Sequence, residues 1–171
     1  MTNVFFDTEF SHLWDVLTPE PALLISIGCV SEDGNKKFYA ENSNFQREQC
    51  SRFVIDNVLP LLEGGEALMP YPTIACRLKS YVESFNDEVV FWSDSPKHDW
   101  CHVCDLFNFH GWPQNLSRTP KTFFFYSEDK QTLFENGVKN AFNSLNLREH
   151  HALDDAIANR AGYLSAMANH F

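Results

Sequence analysis

Two carboxylates spaced one residue apart follow directly on an apolar run in Val4-Phe5-Phe6-Asp7-Thr8-Glu9-Phe10. The run has no helical periodicity and reads as a short, buried strand. Alternate side chains of a strand share a face, so Asp7 and Glu9 project together while Thr8 points the other way. Two acids on one face of a buried strand end repel each other and lose hydration unless a cation lies between them. A hard divalent ion with oxygen ligands, Mg2+ or Mn2+, meets that need. On this segment alone, a solvated strand end with Asp-Thr-Glu as a polar turn remains the alternative.

Two later stretches carry similar residue types. Asp99 lies in Pro96-Lys97-His98-Asp99-Trp100-Cys101-His102-Val103-Cys104, soon after the β-rich run 88–92. By itself it reads as a first-turn acid that complements a helix dipole. Near the end stands His150-His151-Ala152-Leu153-Asp154-Asp155-Ala156. By itself this is a solvated amphipathic helix, with His151 and Asp155 as an i, i+4 surface pair. Cys101 and Cys104, with His98 and His102 beside them, raise the question of zinc. A structural zinc site takes four ligands, usually as two separated pairs, and no second Cys pair exists. Partly buried thiols on a helix are the simpler reading.

The elements that must position these residues can be read in chain order. After the acidic strand, residues 23–30 are β-rich, Asp33-Gly34-Asn35 marks a hairpin turn, and residues 37–40 return as a third strand. Residues 53–62 are apolar at helical spacing before Gly64-Gly65. Pro70-Tyr71-Pro72 reads as a loop, and Thr73 as the cap of a helix with Ile74, Leu78, Tyr81, Val82 and Phe85 on one face. A fourth strand at 88–92 is followed by a helix at 98–109, and residues 111–120 form a loop. Phe123-Phe124-Phe125-Tyr126 is a fifth strand or a buried aromatic run, and helices at about 130–143 and 146–169 finish the chain. The order βββ-α-α-β-α-β-α-α predicts a mixed sheet covered by helices, an α/β layered domain.

Composition bounds the function classes. The 171 residues suffice for one domain with a sizeable core, so residues 1–171 are expected to form a single domain. Apolar content is 44% and aromatic content 15%, which excludes a disordered chain. No apolar run approaches the roughly 20 residues of a membrane span, and no secretory signal pattern opens the chain. Five Cys without framework spacing read as reduced thiols, so a cytoplasmic location is expected. A net charge of -10 argues against a protein that coats duplexes through a basic stripe. It leaves room for an enzyme that grips one strand end through metals and stacked bases.

Taken together, Asp-x-Glu on the first strand, an Asp after a later strand, and His-x4-Asp opening a late helix resemble the DEDDh branch of the 3'–5' exonucleases. Asp7-Thr8-Glu9 matches the first motif, His98-Asp99-Trp100 resembles the second, and His150 to Ala156 matches the third closely. Leu24-Ile25-Ser26-Ile27-Gly28 is similar to that family's second strand. The family's usual Asn upstream of the second motif is not evident, and Ser93-Asp94-Ser95 stands near its place. The layout, spread over residues 4–163, is most similar to small stand-alone exoribonucleases of bacteria and phages.

The resemblance implies a ribonuclease H-like α/β fold, a mixed five-stranded sheet with its first three strands antiparallel, flanked by helices. It implies two divalent ions, Mg2+ or Mn2+, about 4 Å apart, serving the attacking and leaving oxygens. Asp7, Glu9 and Asp155 would hold the ion that carries the water. Asp7 would bridge to the second, with Asp99 supporting it. His150 would take the proton from the water, a role that suits imidazole near neutral pH. Thr8 and Phe10, with Leu13 or Trp14, would meet the substrate, the apolar ones by stacking on the terminal base. Core packing is the plainer account of Phe10 and Trp14. The implied substrate is the 3' end of single-stranded nucleic acid, RNA favoured over DNA, and the relatives imply a homodimer. The alternatives are a catalytically silent nucleic-acid or protein-binding module on the same fold, and an Asp-x-Asp phosphatase. Glu9 in the second acidic position argues against the phosphatase.

The choice of base depends on where the last helix begins. Five residues turn a helix by about 500°, so His150 and Asp155 cannot share a face well inside one. His150 must lie at the helix start or in the preceding loop. A helix capped earlier, at Asn146 with Glu149 in the third position, would favour His151 instead.

Overall fold

The computed structural model describes residues 1–13 and 20–168, so Trp14 lies outside the described residues. Strand β1 (Thr2–Phe10) is central to a sheet of order β4-β3-β2-β1-β5-β6. Its apolar first half explains the position, because a strand paired on both edges and covered on both faces needs apolar residues throughout. Antiparallel β2 (Leu24–Ser31) and β3 (Lys37–Asn42) form the expected hairpin. The turn between them has Gly34 at φ 78° and a Gly34 N–H bond to the Ser31 carbonyl. On the other side, β5 (Val89–Ser93) runs parallel to β1, with Val4 opposite Phe91 and Phe5 opposite Trp92.

The two faces of β1 feed two cores. Val4 and Phe6 pack with Ile27 and Phe91 against Leu78 and Val82 of α2 (Tyr71–Glu83) and Leu106 and Phe107 of α3 (Pro96–His110). Phe5 packs with Phe134 of α4 (Glu128–Leu145) and Ala156 and Tyr163 of α5 (Ala152–Met167). Helices α4 and α5 meet at small residues. A Cβ on Gly137 would stand 2.9 Å from the Gly162 Cα. Among the described residues no helix is long and apolar enough to cross a membrane.

Among the described residues the sheet has six strands where five were expected. The addition is β4 (Leu68–Met69), two residues parallel to β3, too short to leave a pattern. The last strand is also displaced. β6 is Lys121–Thr122, and the aromatic run after it leaves the sheet. Phe123 is buried against Phe134, while Phe124 and Tyr126 are exposed. Helix α2 begins at Tyr71, not at Thr73, because Pro72 is tolerated in a first turn whose N–H groups have no partner anyway. The apolar stretch 53–62 is two pieces, α1 (Arg52–Asn57) and a 3-10 turn at Leu59–Leu61, since Pro60 cannot donate to a continuing α ladder. Asn146 caps the end of α4 in the left-handed region (φ 52°, ψ 46°), so it is not the start of α5.

Candidate active site

The carboxyl ends of β1 and β5 lie side by side, and acids from β1, the β5–α3 connection, α3 and α5 gather there. Asp7, Glu9 and Asp155 bring ligand oxygens within 4.8 Å of one another, and so do Asp7, Asp94 and Asp99. Asp7 belongs to both sets. Asp7 and Glu9 share the face of β1 that α5 covers, as their spacing predicts. Thr8, on the opposite face, donates its hydroxyl to Asp99 Oδ1 at 2.7 Å. Ser93 donates to Asp99 Oδ2, so two hydroxyls hold this carboxylate in place on the first turn of α3.

Asp155 reaches the strand because α5 comes unusually close to the sheet. Gly28, directly opposite Asp7 on β2, is the reason. A Cβ there would stand 2.2 Å from the Leu153 nitrogen. Leu153 is in the first turn of α5, and its neighbours Asp154 and Asp155 follow. A bulge between Glu9 and Phe10 then turns the strand end away from its partner.

Desolvation and mutual repulsion work on these acids together. Asp7 is held well above the usual carboxylate range, by burial first and then by Asp99, Asp155 and Glu9. Burial and then the Glu9 charge push Asp155 up to about 8, and burial and then Asp99 push Glu9 up to about 7. Asp99 reaches only about 6, since the Ser93 and Thr8 hydroxyls oppose the effect of burial. The cleft over these acids, about 340 Å³, is also lined by Phe10, Leu13, His98 and His150, and none of its described lining residues is Lys or Arg. Hard oxygen donors without protein counter-charge fit divalent cations such as Mg2+ or Mn2+. Soft ligands are elsewhere: Cys101 is exposed on α3, its thiol turned to the His98 carbonyl.

The third stretch resolves the two histidines. Helix α5 starts at Ala152 with His151 as its N-cap, and the His151 carbonyl accepts from the Asp155 N–H at 2.9 Å. His150 therefore lies before the helix, at φ 66°, lining the cleft with its ring edge-on to Phe53 at 5.0 Å. His151 is not the surface partner of Asp155. It is 1% exposed, stacked on Tyr39 at 4.5 Å, and its Nδ1 faces Asp154 and Arg148. Burial lowers its basicity.

Phe10 is half-buried and stacks on His102 at 5.3 Å and His98 at 6.1 Å, while Leu13 is 63% exposed at the cleft mouth. Asp94 is the residue that motif spacing left without a role. Its signal was the polar Ser93-Asp94-Ser95 directly after a buried strand, at the strand end where parallel sheets place their sites.

No family model matches the chain, and no curated protein matches it in sequence. Solved structures match it in fold. Exonuclease I aligns at TM-score 0.54 and 13% identity over 94% of this chain, which spans 39% of that protein's length. S. pombe Pop2p, in a Mg2+ and Mn2+ bound form, aligns at 0.57 and 14% identity, covering 94% of this chain and 81% of Pop2p. The nuclease domain of 3'hExo, a DEDDh family member bound to rAMP, aligns at 0.51 and 14% identity, covering 95% and 90%. The six-stranded sheet flanked by helices, with its first three strands antiparallel, is a ribonuclease H-like fold, similar to those of exonuclease I and the 3'hExo nuclease domain.

Proposed function

We propose that this protein is a divalent-metal-dependent 3'–5' exonuclease that trims single-stranded nucleic acid, RNA in preference to DNA, and releases 5'-mononucleotides. The observation that carries the reading is the pair of carboxylate sets sharing Asp7. Two sets with one common member are what a two-ion phosphodiesterase needs. The fold likeness to Pop2p in a Mg2+ and Mn2+ bound form, and to a nuclease domain bound to rAMP, supports the choice of metal and of ribonucleotide.

Asp7, Glu9 and Asp155 would hold one ion, and Asp7 with Asp94 and Asp99 the other. When bound, the ions supply positive charge to the attacking and leaving oxygens of the phosphodiester. His150, free of the helix and on the cleft rim, takes the proton from the attacking water at a ring nitrogen. Phe53 limits the swing of its ring. Phe10 and Leu13 offer the terminal base an apolar surface, and His98 and His102 brace the Phe10 ring. Thr8 and Ser93 keep Asp99 aimed at the cleft.

Matched single-stranded RNA and DNA, labelled at either end, test this with Mg2+ and with Mn2+. A 3' label should appear at once as a mononucleotide, and a 5'-labelled strand should shorten stepwise. Chelation should stop both. Cutting of a circular single strand would overturn the exonuclease reading. Tight oligonucleotide binding without turnover would mark a silent binding module instead.

A further inference from the structure

Among the described residues only Asn146 and His150 combine a side chain with a left-handed backbone, at φ 52° and 66°, and both lie in the connection from α4 to α5. Asn tolerates this region because its short polar side chain bonds locally. At His150 the Cβ meets steric opposition, so the conformation persists only where the flanking chain is held. Arg148, two residues earlier, supplies the hold. Its backbone N–H and its Nε both donate to Asp154 Oδ2, at 3.0 and 2.7 Å, and its Nη2 donates to Glu63 Oε1 at 2.9 Å. Resting on the exonuclease reading above, we propose that Arg148 is a positioning residue for that reaction: its guanidinium clamps the connection before α5 and so keeps the His150 ring over the acidic cleft.

The clamp joins parts of the protein that are distant in the chain. Asp154 is in the first turn of α5. Glu63 follows the 3-10 turn at Leu59–Leu61, and its own backbone is fixed, because the Glu63 and Gly64 N–H groups donate to the buried Glu41 carboxylate of β3. One side chain thus ties the connection to β3 on one side and to α5 on the other. His150 lies between Arg148 and the N-cap His151, whose Nδ1 is 3.3 Å from Arg148 Nη2. Phe53 bounds the His150 ring edge-on. A planar guanidinium presents its donors in fixed directions and can hold two carboxylates at once, whereas a Lys ammonium is a point charge on a flexible stem. Asp154→Asn keeps an oxygen for both Arg148 donors, so the clamp survives that change.

A base that strays from the attacking water works only for the fraction of time it spends within reach. In full-length protein with saturating Mn2+ and a short single-stranded oligonucleotide, Arg148→Ala and Arg148→Lys should each lower kcat about 10-fold to 100-fold, with KM changed less than about twofold. Made in His150→Ala protein, Arg148→Ala should cost almost nothing further, because the group it positions is already gone. Glu63→Ala, which removes the outer arm at a half-exposed position, should repeat this pattern at smaller size. In metal-free protein the backbone amides of residues 149–151 should exchange about tenfold or more faster in Arg148→Ala, with those of β1 unchanged. An equal kcat loss in both backgrounds would mean that Arg148 acts through α5 and Asp155, and would overturn the proposal, as would unchanged amide exchange. Either result leaves the exonuclease reading standing. Wild-type protein that hydrolyses neither RNA nor DNA overturns both.

Discussion

Adjacent aspartates at the start of α5 sit in opposite electrostatic surroundings. Asp154 faces a network built from the protein's own charges. Its Oδ2 accepts from the Arg148 backbone N–H at 3.0 Å and Nε at 2.7 Å, and Arg148 also reaches Glu63 at 2.9 Å. Behind them Glu41, 1% exposed, accepts from the Glu63 and Gly64 N–H groups and the Tyr39 hydroxyl. Burial pushes the Asp154 carboxyl up, and the Arg148 contacts more than reverse it, so it lies below the ordinary range. Asp155, one residue on, has no cationic partner among the described residues: burial and then Glu9 and Asp94 push it up to about 8, against a backbone hydrogen bond from His150. The protein can neutralise a partly buried acid when structure is the aim. Where it leaves several together, the counter-charge is meant to come from outside.

The sharpest way to break that contrast is to neutralise each aspartate. Asp155→Asn should abolish oligonucleotide hydrolysis and raise the melting temperature of the metal-free protein at pH 8, since one repelling charge is gone. Asp154→Asn should retain hydrolysis and lose about 1–3 kcal/mol of stability in denaturant unfolding, the cost of weakening charged hydrogen bonds. Full activity in Asp155→Asn under saturating Mn2+ would sink the metal assignment.

The histidines repeat the contrast on a smaller scale. His150→Ala should lower kcat by about 10²–10⁴-fold, the range for a lost general base, with metal affinity nearly unchanged. His151→Ala should act on stability instead, losing about 1–2 kcal/mol, because it removes the N-cap of α5 and a ring packed on Tyr39. Measured kcat values in the opposite order would reverse the roles.

Proton linkage gives the smallest and most general effect. The folded values of Glu9, about 7, and Asp155, about 8, lie above their ordinary values of 4.5 and 3.8. Their stabilising contribution is therefore complete below those ordinary values and is lost as pH rises toward 8. Asp154 runs the other way, contributing above its ordinary value of 3.8 and losing that as pH falls through its lowered one. Thermal melts of metal-free protein should show declining stability from pH 5 to pH 8. Mg2+ or Mn2+ should raise the melting temperature more at pH 8 than at pH 6. An equal rise at both would mean that the ions do not bind these acids.

Much of this arrangement was legible in the sequence because it rests on local periodicity. Period two fixed the shared face of Asp7 and Glu9, and an apolar run marked β1 as central. Asp33-Gly34-Asn35 marked the hairpin. What escaped depends on partners distant in the chain. The two-residue strands at Leu68–Met69 and Lys121–Thr122 exist only because β3 and β5 offer them an edge. Asn146 could cap the start of one helix or the end of another, and the left-handed end won. The burial of His151 follows from Tyr39 and Glu63, which no spacing around residue 151 reveals.

The close approach of α5 to Gly28 also bears on the order in which the protein assembles. Strands β1 to β3 are consecutive in the chain and pair with one another, so they can form early, at low cost in chain entropy. Asp155 arrives only when the C-terminal helix docks against the strand face that Gly28 leaves bare. Until then Asp7 and Glu9 are two acids on a hairpin, with little hold on a divalent ion. On the metal reading proposed above, high-affinity uptake is thus a late event in folding, and the ions would stabilise the finished chain without trapping its intermediates.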